Sequence, residues 1–478
     1  MNFRLTKGNF LKTGAYIEGD SAVFTFAAEK EDECSIVLLD KSGNTACVID
    51  IPAEYSTGSL YSVRLHGFCG NEYAYYFRIN GKRCIDPYAT RIFGREKWND
   101  KTRSDNGYEI ACGIDSSDFD WKYDSFPEIT RDRMKLYKLH VRGFSMDVSG
   151  NKKHKGTFEA VSDRINYIKK LGFTSILLMP VYEFEEMTIP VKHDIPEYAK
   201  PKYSLKDEQS VHTENDKVNF WGYTSGNYFA VKASYASDAS DASNELRRLV
   251  ERLHKNGMEC IVEMYFPDRT DHNLILDALR YWVMSFHVDG FKLLGDRLPV
   301  TAIVQDALLS RTKILYDGFD MSVVPQNRTY ENLYIDKEEY QFAARMMLNH
   351  INCNMYELLN QQKKQGENVG FINYISSNNG FTLSDLFMYN DRHNEANGEK
   401  NADGPSWNFS NNYGCEGPSR KRFIREIRKL KWKDAMLLLF LAQGVPMIMA
   451  GDEICNSQDG NNNAYCQDNP TCLLYTSD

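Results

Sequence analysis

The spacing of apolar and polar side chains divides the sequence into two unlike parts. In the N-terminal part, short segments alternate apolar and polar residues and are separated by turn residues; the clearest are SAVFTFAA, CSIVLL, YSVRLHG and YAYYFRI. A period of two is typical of strands with one buried face, and closely spaced turns favour antiparallel pairing. Residues 1–110 are therefore predicted to form a small antiparallel β-sandwich.

From about Lys135 onward, compact apolar segments alternate with amphipathic helical segments. The apolar segments are KLYKLHV, TSILLMP, MECIVEMYF, DGFKLL, TKILYD, ENLYI, GFINYI and GVPMIMA. Strands that are apolar throughout are buried on both faces, which is typical of parallel strands joined by helical crossovers. About eight such units in sequence predict a closed (β/α)8 barrel over residues 111–469.

An open, doubly wound parallel sheet is the alternative arrangement of the same units. That fold commonly carries a glycine-rich phosphate-binding loop after its first strand, and no such loop follows KLYKLHV. The fold class predicted here is therefore α/β, a (β/α)8 TIM barrel preceded by a small antiparallel β-sandwich domain. Because barrel enzymes place their chemistry at the carboxyl ends of the strands, functional side chains are expected there.

Composition argues against several kinds of binding partner and cofactor. The 478 residues carry a net charge of −9 with acidic and basic residues intermixed, which argues against nucleic acid. No run of about eighteen apolar residues occurs, so no membrane-spanning helix is expected. The eleven cysteines are scattered without a Cys-x-x-Cys pair, which favours reduced thiols in a cytoplasmic protein. No calcium-loop spacing is present either, so neither a metal nor another cofactor is expected.

Several strand ends carry longer phrases, among them KLYKLHVRGFS, LGFTSILLMPVYEF, NFWGYTSGNYFAVKASYA, NGFTLSDLFMYNDRHNEANGEKNADG and GVPMIMAGDEICNSQDGNNNAYCQDN. Together these phrases resemble the isoamylase, pullulanase and glycogen-debranching branch of glycoside hydrolase family 13. The N-terminal block ending in DPYA resembles the family 48 carbohydrate-binding module that precedes such barrels. The resemblance implies hydrolysis of α-1,6 branch linkages in glycogen-like or starch-like glucans, with retention of configuration.

Retaining hydrolysis needs two carboxyl groups about 5–5.5 Å apart, one to attack the anomeric carbon and one to protonate the leaving oxygen. The resemblance implies an attacking Asp at the end of the fourth strand, in a phrase like Gly-Phe-Arg-Phe-Asp. The corresponding phrase here ends in Leu294, and the arginine position holds Lys292. Leucine has no lone pair with which to attack, and lysine lacks the planar guanidinium with which arginine makes bidentate hydrogen bonds to a carboxylate.

The other catalytic positions implied by the resemblance are altered as well. Asp317 occupies the acid position and is one methylene shorter than the expected Glu; a role as a turn-capping Asp before Gly318 is its alternative. Asn378 and Asn379 stand where the seventh strand should end in His-Asp, so Asn379 fills the position of the third carboxylate. Asp268 stands where the third strand should end in Asn-His.

Two further residues have more than one interpretation. Tyr223, in WGY, matches the family position whose ring stacks on the sugar, although packing at the barrel mouth is an alternative role. Asp296 follows Leu294 by two residues and could form a displaced catalytic pair with Asp317, although a solvent-facing loop carboxylate is the simpler interpretation. For Trp221 and Trp407, packing is expected.

The substitutions fall together on the catalytic positions, whereas surrounding loops such as MYNDRHNEANGE keep the family pattern. The sequence therefore predicts a catalytically impaired, α-glucan-binding relative of the debranching enzymes. Two alternatives stay open: an active hydrolase that uses Asp317 with Asp296, and an inert truncated fragment. Residues 470–478, PTCLLYTSD, do not continue the family pattern and are expected to form an atypical tail after a truncated barrel. The oligomeric state is left open.

Overall fold

A computed structural model gives the architecture of the chain. The structure describes residues 3–68, 72–103, 110–146, 154–187, 217–319, 331–352, 354–366 and 368–469. The polar insertion that the sequence places between Glu183 and Asn219 falls outside the described residues over 188–216, and so does the tail from 470 to 478.

Within the described residues, two antiparallel sheets precede the barrel. The first has the strand order β1-β7-β3-β2, with β6 paired to β7, and the second has the order β10-β11-β8-β4-β5, with β9 paired to β8. Their strands are β1 (Arg4–Lys7), β2 (Gly14–Glu18), β3 (Ser21–Ala27), β4 (Cys34–Leu39), β5 (Thr45–Asp50), β6 (Ser56–Thr57), β7 (Leu60–His66), β8 (Ala74–Ile79), β9 (Lys82–Cys84), β10 (Arg91–Phe93) and β11 (Ala111–Gly113).

The two sheets pack face to face through aromatic side chains. Phe26 of β3 stacks on Phe77 of β8 with ring centroids 4.1 Å apart, and Phe24 meets Tyr75 edge-on at 4.9 Å. Aromatic pairs of this kind each stabilise a core by about 0.5–1.5 kcal/mol beyond the area that they bury. The packed sheets confirm the β-sandwich part of the predicted fold class.

Of the ten later strands in the described part of the chain, eight close a parallel barrel in chain order, and β14 and β15 pair antiparallel with each other. Closure comes from the parallel pairing of β12 with β21, in which Leu136 lies opposite Met447. The closed ring confirms the (β/α)8 barrel and excludes the open sheet. The strands are β12 (Leu136–Leu139), β13 (Ser175–Leu178), β14 (Tyr182–Phe184), β15 (Gly226–Val231), β16 (Glu259–Tyr265), β17 (Gly290–Leu294), β18 (Lys313–Leu315), β19 (Leu333–Asp336), β20 (Gly370–Asn373) and β21 (Val445–Met449).

The α-helices of the described residues pack outside this barrel. They are α1 (Phe158–Asp163), α2 (Ile165–Lys170), α3 (Ala242–Lys255), α4 (His272–Phe286), α5 (Val300–Gln305), α6 (Glu338–Leu348), α7 (Met355–Lys363) and α8 (Arg422–Leu441). None of them is long and apolar enough to cross a membrane. The eight cysteines among the described residues are free thiols.

Two helices are shorter than their sequence patterns predict. The pattern over TFEAVSDRINYIKKLG predicts one helix, but Arg164 leaves the helical region with φ −99° and ψ 2° and separates α1 from α2. The pattern over VTAIVQDALL also predicts one helix, but Asp306 is extended and ends α5. Its carboxylate accepts hydrogen bonds from the backbone N–H groups of Leu308 and Leu309 instead, which starts a new turn.

The interior of the barrel changes from apolar to charged along the strands. A buried apolar layer, which includes Leu136 and Ile261, fills its amino-terminal end. Two positions further along the same strands stand Lys138 and Glu263. Because side chains on a strand return to the same face with a period of two, these charged residues also point inward. They lie beneath the carboxyl end of the barrel, where the candidate site is found.

Candidate active site

A cavity of about 700 Å³ opens at the carboxyl end of the barrel strands. The structure brings all eight predicted site residues to its wall, together with Trp221, whereas Trp407 is largely exposed elsewhere. The eight are Tyr223, Asp268, Lys292, Leu294, Asp296, Asp317, Asn378 and Asn379. The arrangement fits the rule that barrel enzymes bind ligands at this end, and the role of each residue stays a prediction.

Leu294 ends the fourth barrel strand and presents an aliphatic side chain to the cavity. The next residue, Gly295, has φ +128°, and a Cβ there would lie 2.0 Å from the carbonyl oxygen of Phe266. Only glycine fits so close to a neighbouring backbone. The N–H of Phe266 donates to the carbonyl of Leu294 at 2.9 Å, which fixes the strand end. Asp296 then lies exposed at the rim.

Lys292 points into the barrel and forms a buried ion pair with Asp336 of β19. Burial opposes the charged ammonium, but the carboxylates of Asp336 and Glu263 outweigh this effect and raise the pKa of Lys292. The lysine at the predicted arginine position is therefore held as a cation by a carboxylate two strands away.

Asp317 follows the fifth strand and accepts a hydrogen bond from the backbone N–H of Asp336 at 3.0 Å. Its side chain has exposed surface at the rim, but the cavity wall removes part of its hydration. That loss, together with the negative charge of Asp336, raises the pKa of Asp317, and Lys292 opposes the shift. A raised pKa is the direction that a general acid requires.

Asp268 and Asp296 follow the third and fourth barrel strands and also line the cavity. The Arg297 Nε lies 3.8 Å from Asp268 Oδ1, and because both side chains are exposed, this pair contributes little to stability. Loss of hydration, followed by the negative charges of Asp296 and Asp317, raises the pKa of Tyr316, so both carboxylates act on one phenol. Asp296 and Asp317 therefore lie on the same side of the cavity as Tyr316.

The sequence patterns did not single out Lys138, Glu263 or Asp336 as site residues. Lys138 Nζ lies 2.6 Å from Glu263 Oε1, and both side chains are almost completely buried. Lys138 also donates to Asn378 Oδ1 at 2.8 Å and to the Tyr223 hydroxyl at 3.3 Å. A charged residue inside an otherwise apolar strand was the available signal, because a buried charge needs a partner.

Tyr223 is tied to the same network by its hydroxyl group, which donates to Glu263 Oε2 at 2.5 Å. Burial and the negative charge of Glu263 raise the pKa of Tyr223 well above its usual value, so the phenol stays protonated. Burial also lowers the pKa of Lys138, and Glu263 counteracts the shift. Trp221 lies 6.1 Å from the Tyr223 ring at 72°, which makes this wall of the cavity aromatic.

Among the residues that the structure describes, no group of three or more His, Cys, Asp or Glu side chains is placed to hold a metal ion. The side chains that line the cavity offer hydrogen-bonding groups, aromatic surface and carboxyl groups.

Comparison with known proteins gives a consistent assignment. Residues 149–272 match the family model described as "Alpha amylase, catalytic domain". The chain is 27% identical to the glycogen debranching enzyme of Enterobacter sp. (strain 638), over 98% of this chain and 82% of that protein. It is also 27% identical to the chloroplastic isoamylase 1 of Arabidopsis thaliana, over 86% of this chain and 62% of that protein. The chain thus spans less than two thirds of this plant isoamylase.

Solved structures share the fold at lower identity. The catalytic module of the glycogen-degrading pneumococcal virulence factor SpuA superposes with a TM-score of 0.66 at 20% identity, over 96% of this chain and 72% of that one. Pullulanase from Bacillus acidopullulyticus gives a TM-score of 0.67 at 18% identity, over 95% of this chain and 59% of that one. The chain is therefore similar to the isoamylases and glycogen debranching enzymes over most of its length, and residues 149–272 match the alpha-amylase catalytic-domain model.

Proposed function

We propose that this chain binds α-glucan in the barrel cavity and does not hydrolyse it as its debranching relatives do. The observation that carries the proposal is Leu294, whose side chain lines the cavity at the strand end where the family resemblance implies a nucleophile. An isobutyl group has no lone pair. No covalent glycosyl intermediate can form on it, and such an intermediate is the first product of retaining hydrolysis.

The charged residues beneath the cavity are paired, which is consistent with a pocket that is folded but lacks a nucleophile. Lys292 is neutralised by Asp336, and Lys138 is neutralised by Glu263. Removing one partner from such a pair typically destabilises a protein by about 3–5 kcal/mol, because the other charge is left buried and alone. Matched charges at these positions are therefore compatible with a folded pocket that has lost its nucleophile.

The lining of the cavity suits a ligand rich in hydroxyl groups. Tyr223 and Trp221 offer aromatic surface, Asn378 and Asn379 offer amides, and carboxyl groups stand at the rim. A pyranose combines apolar ring faces with hydroxyl groups and matches such a lining. Among similar folds, the GBS pullulanase SAP was solved with maltotetraose and the Paenibacillus barengoltzii pullulanase with maltohexaose and α-cyclodextrin. We propose the same class of ligand here.

The same proposal assigns a role to each part of the chain. Residues 1–110, together with β11 of the same sheet, would be a carbohydrate-binding-module-like domain, the rest of residues 111–469 the glucan-binding barrel, and residues 470–478 an atypical tail. The scattered cysteines, of which the described eight are free, support a reducing cytoplasm as the place of action.

The proposal is tested by measuring binding and cleavage separately. We expect purified protein to migrate more slowly in native gels that contain glycogen or pullulan, and to release no reducing ends above the blank. Leu294→Trp should weaken the retardation, because an indole at that position occupies part of the cavity at the strand end. Trp407→Ala is the matched control, since that side chain lies outside the cavity. Rapid release of reducing ends would refute the proposal, and normal migration would favour an inert fragment.

A displaced catalytic pair is a second candidate function, and one observation favours it. Asp317 and Asp296 line the same cavity, and the raised pKa of Asp317 suits a general acid. If this pair acts, reducing ends will be released from pullulan, and both Asp296→Asn and Asp317→Asn will abolish the release. Glu426→Gln, on the outer helix α8, is the control substitution. Release that survives Asp296→Asn would exclude the pair.

A further inference from the structure

The Lys138–Glu263 pair lies directly beneath two residues that are candidates for sugar contact. An ammonium group has three N–H donors and no acceptor. Lys138 Nζ donates hydrogen bonds to Asn378 and Tyr223 and lies 2.6 Å from Glu263 Oε1 in an ion pair. Its ammonium group is therefore directed at protein oxygens, although its side chain forms part of the cavity wall.

The hydroxyl group of Tyr223 is satisfied in the same way. It donates to Glu263 at 2.5 Å and accepts from Lys138 at 3.3 Å. The proton of the hydroxyl group and one of its lone pairs are therefore engaged by the ion pair, and we expect the ring to be the main contact surface for a ligand. The two bonds also fix the direction in which the ring faces, because they hold the far end of the side chain against two different strands.

The orientation of the Asn378 amide follows from the same lysine. Because Lys138 can only donate, the side of the amide that faces it must be the oxygen Oδ1, at 2.8 Å. The amide NH2 group of Asn378 is therefore turned away from Lys138. An apolar residue in place of Lys138 would leave this amide free to rotate.

We propose that Lys138 and Glu263 are positioning residues for glucan binding: without touching the sugar, they hold the Tyr223 ring and the Asn378 amide in the orientation that binds it. The inference rests on the proposed function, because it requires a glucan in the cavity. It explains why charge is kept in an interior that an apolar pair could fill, since a buried ion pair often adds no stability over apolar residues of similar size.

The test replaces the pair by apolar residues and measures affinity and stability in parallel. In Lys138→Met with Glu263→Leu, no unpaired charge remains, so the barrel should fold with a thermal midpoint close to that of the wild type. Its Kd for maltohexaose, measured by calorimetry, should rise about tenfold. Single substitutions are unsuitable because each leaves a buried charge without its partner.

A second ion pair in the same barrel provides the matched control. Lys313 of β18 pairs with Glu259, which lies on β16 four residues before Glu263 and roughly 13 Å from it by strand rise. Lys313→Met with Glu259→Leu removes a buried pair at the amino-terminal end of the barrel. Whatever this change does to stability, the Kd for maltohexaose should stay within about twofold of the wild type.

A double-mutant cycle with Tyr223→Phe separates positioning from a general effect. Tyr223→Phe removes the hydroxyl group that the ion pair holds. Once the pair has been replaced by apolar residues, Tyr223→Phe should therefore cause little further increase in Kd. We expect the combined variant to bind about as weakly as the apolar-pair variant, and Lys138→Arg to retain most of the affinity. If the fold increases in Kd caused by Tyr223→Phe and by the apolar pair multiply in the combined variant, or if the apolar-pair variant has an unchanged Kd, the positioning role is refuted but the proposed function is not. Absence of binding by the wild type would overturn the proposed function as well.

Discussion

Lys292 on the fourth barrel strand is paired with Asp336 on the sixth, beneath the cavity that Leu294 lines. The lysine occupies the position that, by resemblance, would hold an arginine bound to the nucleophile. With no carboxylate at position 294, the cation has a partner elsewhere in the barrel. A single change at position 294 would therefore return a nucleophile to a site whose cation is already engaged.

Removing Asp336 alone is expected to destabilise the protein much more than removing both Lys292 and Asp336. Asp336→Asn should lower the free energy of unfolding by about 3 kcal/mol, because Lys292 would remain buried without its main counter-charge. Lys292→Met added to this variant should recover most of the loss. Urea unfolding followed by circular dichroism measures both. If Asp336→Asn costs less than about 1 kcal/mol, the charge of Lys292 is compensated by other groups.

Restoring the catalytic positions together should create measurable cleavage. Leu294→Asp places a carboxylate in the cavity wall, Lys292→Arg supplies a planar donor group, and Asp317→Glu adds the missing methylene. We expect reducing-end release from pullulan at least about tenfold above the control that lacks Leu294→Asp. The rate should stay well below that of an active relative, because a displacement of about 1 Å costs roughly a hundredfold. A folded, glucan-binding triple variant with no release would show that the pocket geometry is also lost.

Gly295 is expected to be irreplaceable. Gly295→Ala combines a φ of +128° with a Cβ placed 2.0 Å from a backbone oxygen, so it should destabilise the protein by about 3 kcal/mol or more. Gly43→Ala is the matched control, because its φ is +80° and no atom lies within 4 Å of the added Cβ. The control should cost only about 1 kcal/mol. Thermal and urea unfolding of the two variants compare these costs directly, and equal losses would contradict the close approach to Phe266.

Stability should depend on pH through Asp86 in the N-terminal part of the chain. Its buried carboxyl accepts hydrogen bonds from the Tyr75 hydroxyl and the Tyr88 N–H, and burial raises its pKa from 3.8 to about 6. The folded protein then holds this proton more tightly than the unfolded chain. This contribution to stability is present at low pH and is lost as the pH rises from about 4 to about 6.

Asp86→Asn isolates that contribution. An amide does not ionise; its oxygen can accept from the Tyr88 N–H, and its NH2 group can donate to the Tyr75 hydroxyl oxygen. The stability of the variant relative to the wild type should therefore increase with pH, by about 3 kcal/mol between pH 4 and 7, since one pKa unit corresponds to about 1.4 kcal/mol. A difference that stays constant over this range would show that Asp86 titrates normally.

Much of the fold could be predicted because the apolar periodicity of the strands is strong. The weakest of the predicted strands, ENLYI, is present as β19 and supplies Asp336 to the site. The segment RKRFIREIRKLKWKDAMLLLFLA forms α8, as its periodicity predicts, and most of its basic residues have exposed surface, but Arg428 is buried. Helix ends were less predictable, because Arg164 and Asp306 interrupt periodic patterns through local backbone geometry.

The candidate site was predictable only where a residue follows a strand. Phrases at the strand ends led to Leu294, Asp317 and Asn378, and the structure brings all three to one cavity. Lys138 lies inside a strand, Asp336 is the last residue of one, and both have partners on other strands. Their pairing depends on the closed shape of the barrel, and the spacing of one strand's residues carries no information about that shape.

The pairing of β12 with β21 also has a consequence for synthesis of the chain on the ribosome. Residues 136–139 emerge early, and their second neighbouring strand, residues 445–449, emerges some three hundred residues later. Until then one edge of the first strand has unpaired backbone N–H and C=O groups. Such an edge can pair with other chains and promote aggregation of the growing polypeptide. Contacts so distant in sequence slow folding, so closure of the barrel must await the synthesis of residues 445–449.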